Sequence, residues 1–237
     1  VGGLTATAPS SLTLAGTVAT TDQPIALGSS TGSTTAGPVP VTLGADTTLA
    51  TGTAALTLTG NLDGAFSLDL DSTGVTTLAA GVGQTTELTA LSTNAGGSTV
   101  LGGDSLAVSG ALSFGDAVST TTSTTLSSAS LTTDSTLAAG SHALTIVTDA
   151  IALGGTTSGT STLALRPATA GTTIGLAGGA GDLNLDATEI AFLQDGFSRI
   201  TVGDGAAGDL TLGDGSAKIL QDSTTLASGG KVDLTSP

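Results

Sequence analysis

Short runs in which apolar and polar residues alternate recur along the whole chain, and they restrict its fold more than any other feature. In the run 66–71, Phe66, Leu68 and Leu70 alternate with Asp69 and Asp71. A β-strand with this period of two places its apolar side chains on one face and its carboxylates in water. Two further runs of this kind are 182–186 and 209–212. The sequence therefore predicts many short strands, each with one buried face.

Repeated segments indicate the length of one turn of the fold. The segment 46–57 recurs at 134–145, 88 residues later, with eight of twelve positions identical, and a weaker copy lies at 225–232. A second unit, apolar-x-apolar-x-Gly-x-apolar, begins at Leu12, Leu56 and Leu106. Its first two copies are 44 residues apart, and the third follows after 50. A common divisor near 22 predicts coils of roughly 20–22 residues whose length varies.

These two signals together predict an all-β chain, a right-handed parallel β-helix (β-solenoid) of short coils, with 1–237 as a single region. About eleven coils at a strand spacing of about 4.8 Å would form a rod on the order of 50 Å long. The bends are expected at Gly-Gly pairs with positive φ, at 96–97, 102–103 and 178–179. Because Val1 already falls within a strand-like pattern, the chain is predicted to be part of a longer polypeptide.

One segment departs from the strand pattern. Asp186 and Glu189 are spaced as in a capping box, and apolar residues follow them. The spacing predicts one short helical turn near 187–194, which Gly196 would end. We expect this turn to pack over one end or flank of the stack.

Composition excludes several classes of function. The chain carries 19 acids against four bases, for a formal net charge of −15. The bases are Arg166, Arg199, Lys218 and Lys231. A surface this acidic repels phosphate backbones and anionic lipids, so neither nucleic acid nor membrane is an expected partner. No apolar run is long enough to cross a bilayer, so membrane insertion is not expected.

Residues that could carry catalysis are few. His142 is the only histidine, and it stands where the matching repeat has another residue, so we interpret it as a solvent-facing repeat variant. A serine triad is therefore not expected. Asp69 and Asp71 could act as paired carboxylates, but on the outer face of a soluble strand such acids are ordinary. The chain is predicted not to be an enzyme, with no catalytic and no cofactor-binding residue.

Calcium is the one metal that the sequence could hold. Asp182, Asp204, Asp209 and Asp214 lie in glycine turns, where carbonyl and carboxylate oxygens can meet a hard cation. The calcium-binding nonapeptide, however, has Asp at its sixth position, and Leu183 stands there in the segment 178–183. We therefore interpret these residues as plain turn acids and assign no metal ligand.

Several segments resemble the β-strand-repeat regions of filamentous-haemagglutinin-like surface proteins. The segments that carry the resemblance are 41–49, 56–64, 163–175, 181–185 and 195–202. The resemblance implies a β-solenoid that is exported to the bacterial cell surface or released, with a stalk or adhesive role. The Asn-Pro motifs of the amino-terminal secretion domain of two-partner-secreted proteins are missing here, which leaves the export route open.

We therefore expect a structural and adhesive extracellular protein. Exposed coil ends are strand edges that invite pairing, so self-association end to end into filaments is predicted, with a host or neighbouring-cell surface as a further partner. The alternative is a carbohydrate-binding or carbohydrate-cleaving β-helix, which would need stacking aromatics, whereas Tyr and Trp are absent. A component of a surface layer or matrix is a third class.

Overall fold

The chain folds into a β-solenoid of about ten turns. The computed structural model describes residues 3–8, 10–30, 38–213 and 221–234. Within these ranges the strand pairings are parallel, and a single six-residue helix interrupts them. The all-β solenoid predicted from alternation and repeats is confirmed.

Three sheets form the sides of the coil, and we call them faces A, B and C; the strands are numbered in chain order. Face A consists of β1 (Leu4–Ala8), β3 (Ile25–Ser30), β5 (Leu56–Leu58), β8 (Val75–Leu78), β10 (Ser98–Leu101), β13 (Ala117–Thr120), β16 (Leu137–Ala138) and β19 (Thr157–Ser158). Face B consists of β11 (Ser105–Ala107), β14 (Thr124–Ser127), β17 (Leu144–Val147), β20 (Thr162–Arg166), β23 (Arg199–Val202) and β25 (Thr224–Leu226). Face C consists of β2 (Leu12–Ala19), β4 (Val41–Gly52), β7 (Ser67–Ser72), β9 (Ala90–Thr93), β12 (Ala111–Phe114), β15 (Ser130–Thr133) and β18 (Ala150–Leu153).

Five further strands complete the stack. The short β6 (Leu62–Asp63) pairs with the first residues of β4. A fourth sheet consists of β21 (Ile174–Leu176), β22 (Leu183–Leu185), β24 (Leu210–Leu212) and β26 (Val232–Asp233). Its strand order is β22-β21-β24-β26, and β22 packs against β18 at the end of face C.

The strand register gives the coil length directly. Val118 pairs with Leu137, 19 residues later, and Leu137 pairs with Thr157 after 20. Two coils are much longer: Ile25 pairs with Leu56 after 31 residues, and Leu163 with Ile200 after 37. The predicted coil length of roughly 20–22 residues is therefore close to that of the regular coils, and its variation is real.

The repeated sequence segments do not occupy equivalent places in successive coils. Leu49, Leu137 and Leu226 are matching positions of the three copies, yet they lie on faces C, A and B respectively. Each copy is thus a strand with its following corner, which is a unit that fits any side of a three-sided coil. The offset of 88 residues consequently does not measure whole coils.

Aliphatic side chains stack along the axis as one connected core. Leu68 and Leu70 are buried, and Asp69 and Asp71 between them are exposed, as the alternation predicts. Phe66 was expected inside but is 36% exposed. It precedes β7 in a corner where its N–H bonds to Gly64 O, so the strand alternation does not yet apply to it.

Only some of the predicted glycine bends have positive φ. Gly96 (φ 102°) and Gly178 (φ 91°) do, whereas neither residue of the pair 102–103 does. At Gly103 the reason for glycine is close approach, because an added Cβ would overlap the Ala80 carbonyl of the preceding coil. The expectation of positive φ was therefore wrong for that pair.

The long coil between β20 and β23 contains an insertion that covers the end of face C, beside β18. β22 pairs in parallel with β21 only nine residues away, and helix α1 (Ala187–Phe192) follows it. Asp186 and Glu189 form the predicted capping box, and the helix ends at Phe192 rather than near Gly196. Glu189 Oε1 also accepts the N–H of Leu153 at 2.9 Å, which fastens the helix to the edge of β18.

Candidate functional surfaces: carboxylates between coils and a face without charge

Many corner carboxylates accept backbone hydrogen bonds from an adjacent coil. Asp46 Oδ1 accepts the N–H of Ser67 at 2.9 Å, and Asp63 Oδ1 accepts those of Thr85 and Thr86 at 2.8 and 3.1 Å. We call these residues the coil-bridging carboxylates: Asp22, Asp46, Asp63, Asp149, Asp209 and Asp222. The N–H of Ser67 and its hydroxyl hold the pKa of Asp46 below its ordinary value. These six carboxylates thus connect adjacent coils through hydrogen bonds.

Among the coil-bridging carboxylates, Asp149 accepts the largest number of hydrogen bonds when hydroxyl donors are counted with backbone N–H groups. Its carboxylate receives the N–H groups of Ala168 and Thr169 at 2.9 and 2.8 Å, and the hydroxyls of Thr169 and Thr172 at 2.6 and 3.1 Å. Burial pushes the pKa of Asp149 upward, but these four bonds outweigh it and leave the pKa below its ordinary value. Asp149 therefore fixes the start of the long coil to the coil before it.

The acid pair considered for catalysis also bonds to the next coil. Asp69 accepts the hydroxyl of Ser92 at 2.8 Å, and Asp71 accepts the side-chain amide of Asn94 at 2.9 Å. Both acids are exposed on face C. Bonds between coils account for both residues, and the assignment of no catalytic residue remains a prediction.

Asp116 is a buried carboxylate that the sequence interpretation missed. It is 3% exposed and accepts hydrogen bonds from the buried hydroxyls of Thr93 and Thr99 at 3.0 Å each. Desolvation raises its pKa above the ordinary value, although the two hydroxyls counteract this. The signal was present in the sequence, because Asp116 stands in the same alternation phase as Phe114 and Val118.

Replacing Asp116 with asparagine is expected to stabilise the protein by about 1 kcal/mol at pH 7, because the buried charge disappears while its shape stays. A carboxyl whose pKa is higher in the folded than in the unfolded protein destabilises the fold when it is ionised. The free energy of unfolding of wild type therefore increases as the pH falls through the folded pKa. The gain in wild-type stability is complete below the ordinary pKa of 3.8.

Urea unfolding of D116N and wild type across pH 3–7 measures this effect, and the stability difference between the two proteins should shrink toward low pH. A D116N protein that is less stable than wild type at pH 7 would show that the hydrogen bonds from the threonines to the charged carboxylate outweigh its desolvation. Thr99→Val removes one of these donors and is expected to destabilise the protein.

His142 is half-buried rather than fully solvent-facing. Its backbone N–H bonds to Ala139 O at 3.0 Å within the corner that follows β16. No side-chain hydrogen bond of His142 is found among the described residues.

The turn acids considered for calcium are engaged in local bonds. Asp182 accepts the hydroxyl of Thr173 at 2.9 Å, Asp204 caps the N–H groups of its own turn, and Asp209 accepts the N–H of Lys231 at 2.8 Å. Asp214 lies outside the described residues. Within the described ranges no group of three acidic or histidine side chains could hold one ion. Calcium binding remains untested, and no residue is assigned to it.

The few bases are concentrated toward the C-terminal part of the chain. Arg166 Nη1 lies 3.7 Å from Asp204 Oδ2, and Lys231 Nζ lies 2.6 Å from Asp233 Oδ2. Arg199 is exposed at the start of β23 on face B. Lys218 lies outside the described residues. Of the described bases, two therefore lie on face B and the third, Lys231, lies directly before β26 of the fourth sheet.

Face A is a long surface without charged residues. None of its eight strands contains an acid or a base. In contrast, face C carries Asp46, Asp69 and Asp71, and face B carries Arg166 and Arg199. The central outward row of face A, aligned by the strand register, is Ala26, Thr57, Thr77, Val100, Ser119, Ala138 and Ser158.

Among the described residues there is no helix with the length and apolar character needed to cross a membrane. No family model, no curated protein and no solved structure matches the chain.

Proposed function

We propose that this chain is a structural segment of an extracellular surface protein, a rigid stalk with an adhesive role at the bacterial cell surface. The observation that carries the proposal is the continuous parallel stack, in which each coil pairs with the coils next to it and the chain extends along one axis. The buried aliphatic ladder and the coil-bridging carboxylates both act along that axis. About ten turns at about 4.8 Å give a rod of roughly 45 Å.

The two outer coils of the described stack support joining to further coils. Leu12 donates its N–H to Pro40 O, directly before the neighbouring strand β4. The alternate N–H groups of β2 therefore point to the open side. Leu4 at this side is 40% exposed, and Leu234 at the other is 61% exposed. A further parallel coil, from the same polypeptide or from another copy, would satisfy these groups and cover the leucines.

A carbohydrate-related function has less support. Three clefts on the described surface have volumes of about 270 to 300 Å³ and are lined mainly by small side chains. The cleft beside Arg166 and Asp204 is lined by Pro167 and alanines, with no aromatic ring on which a sugar could stack. No observation favours this class over the structural one.

Electron microscopy of the purified chain tests the proposal. We expect narrow rods about 45 Å long that join into multiples of that length as the protein concentration rises. Thr13→Pro removes an N–H on the open side of β2 and leaves the bonds to β4 in place, so it should shorten the joined rods while the circular dichroism stays unchanged. Round particles, or joining that the proline does not affect, would contradict end-to-end assembly.

A further inference from the structure

We infer that face A is the surface through which two copies of this chain pack side by side. This inference deepens the proposed structural role and rests on it, but it concerns the long side of the rod and not its ends. The surface consists of the outward residues of the eight face A strands.

Charge distribution selects this face. Two copies that each carry a net charge of −15 repel one another wherever their carboxylates meet. On face C the outward row includes Asp69, with Asp71 beside it, so two C faces would oppose like charges. Face A has no charged strand residue, and contact through it keeps the carboxylates of the two copies at the periphery.

The side chains of face A are suited to sheet-on-sheet contact. The central row contains only Thr, Ser, Ala and Val, and it runs through consecutive coils in an unbroken register. Beside it lies a second row with Val75, Ser98 and Ala117, in which Val75 is 45% exposed. Small side chains let two sheets approach closely, and the strand spacing of one copy matches that of an identical copy. A partner with the same repeat therefore fits this face along its whole length.

The size of the face predicts a weak association. Eight strands at about 4.8 Å extend roughly 34 Å, and four residues span about 13 Å across. A contact of that size buries on the order of 900 Å² over both copies, which is below the roughly 1,200–2,000 Å² of stable specific complexes. We therefore expect a reversible dimer that tightens when salt screens the net charge.

Sedimentation equilibrium of wild type and two variants tests the inference. Ser119→Asp places a carboxylate in the central row of face A, and Thr145→Asp places one at the corresponding central position of face B. Wild type should dimerise, more strongly at about 0.5 M than at about 0.05 M salt. Ser119→Asp should weaken dimerisation at least tenfold because the new carboxylate would lose water against the uncharged face of the other copy. Thr145→Asp should leave it nearly unchanged, although both variants carry the same net charge.

Equal weakening by both variants would overturn the inference, since net charge alone would then explain the effect. A wild-type protein that stays monomeric at high salt would overturn it as well. In that case face A could instead bind a neutral ligand. Thermal melts of both variants establish that they are folded. Micrographs separate the two contacts, because Ser119→Asp should remove doubled rod width and preserve joined length, whereas Thr13→Pro should do the reverse.

Discussion

Replacing Gly83 with alanine is expected to lower the free energy of unfolding by about 3 kcal/mol or more. Gly83 is buried in the corner after Val82, with φ of 69°, a conformation that L side chains rarely adopt. An added Cβ would also overlap the carbonyl oxygen of Ala107 in the next coil, and both backbones are held by hydrogen bonds. Neither coil can move away without breaking the stack, so strain and overlap act together.

Two other glycines separate these contributions. Gly140 has φ of 57° and nothing within 4 Å of an added Cβ, so Gly140→Ala should cost only the backbone strain, about 1 kcal/mol. Gly205 has open space and no positive φ, so Gly205→Ala should stay within about 0.5 kcal/mol of wild type. Urea unfolding followed by far-UV circular dichroism measures all three. If Gly83→Ala unfolded at the same urea concentration as Gly140→Ala, the close approach of Gly83 to the next coil would add nothing to the backbone strain, which would contradict the prediction.

The sequence predicts local structure well because the determinants are local. Alternation around Leu68 and Leu70 identifies the buried face of a strand, and the spacing of Asp186 and Glu189 identifies a helix start. Which strand lies beside which is a long-range property. Leu49 and Leu137 have nearly the same local sequence but lie on different faces, since coil lengths vary from 19 to 37 residues.

The candidate functional surfaces could not be predicted from the sequence, because they too depend on which strands are neighbours. The donors to Asp46 and Asp149 are backbone N–H groups of the next coil, and a backbone group leaves no signature in the sequence. The absence of charge on face A becomes visible only when positions such as Thr77, Val100 and Ser119 are aligned by register. Asp116 is the exception. It lies in the corner between β12 and β13 but continues the alternation of Phe114 and Val118, and an acid in such an apolar phase can be recognised from the sequence.

Replacing Asp149 with alanine is expected to lower the free energy of unfolding by about 2 kcal/mol at neutral pH. The carboxylate accepts four hydrogen bonds, and without it the N–H groups of Ala168 and Thr169 lose their partner. A hydrogen bond to a charged group contributes about 1.5–3 kcal/mol, but this site is partly open, so water replaces some of the loss. Hydrogen exchange should accelerate first in 167–173, which the carboxylate holds against the preceding coil.

Asp134→Ala is the matched control, because it removes the same charge from an exposed corner where the side chain makes no hydrogen bond among the described residues. It should leave stability within about 0.5 kcal/mol of wild type. The pKa of Asp149 is lowered in the folded protein, so its contribution is present above the ordinary value of 3.8 and is lost as the pH falls through the folded pKa. The difference between D149A and wild type should therefore be full at pH 7 and shrink below about pH 4, while Asp116 changes in the opposite sense. If D149A and D134A had equal stability at pH 7, the bonds from the long coil to Asp149 would contribute nothing, and net charge alone would govern how this acidic stack responds to the loss of a carboxylate.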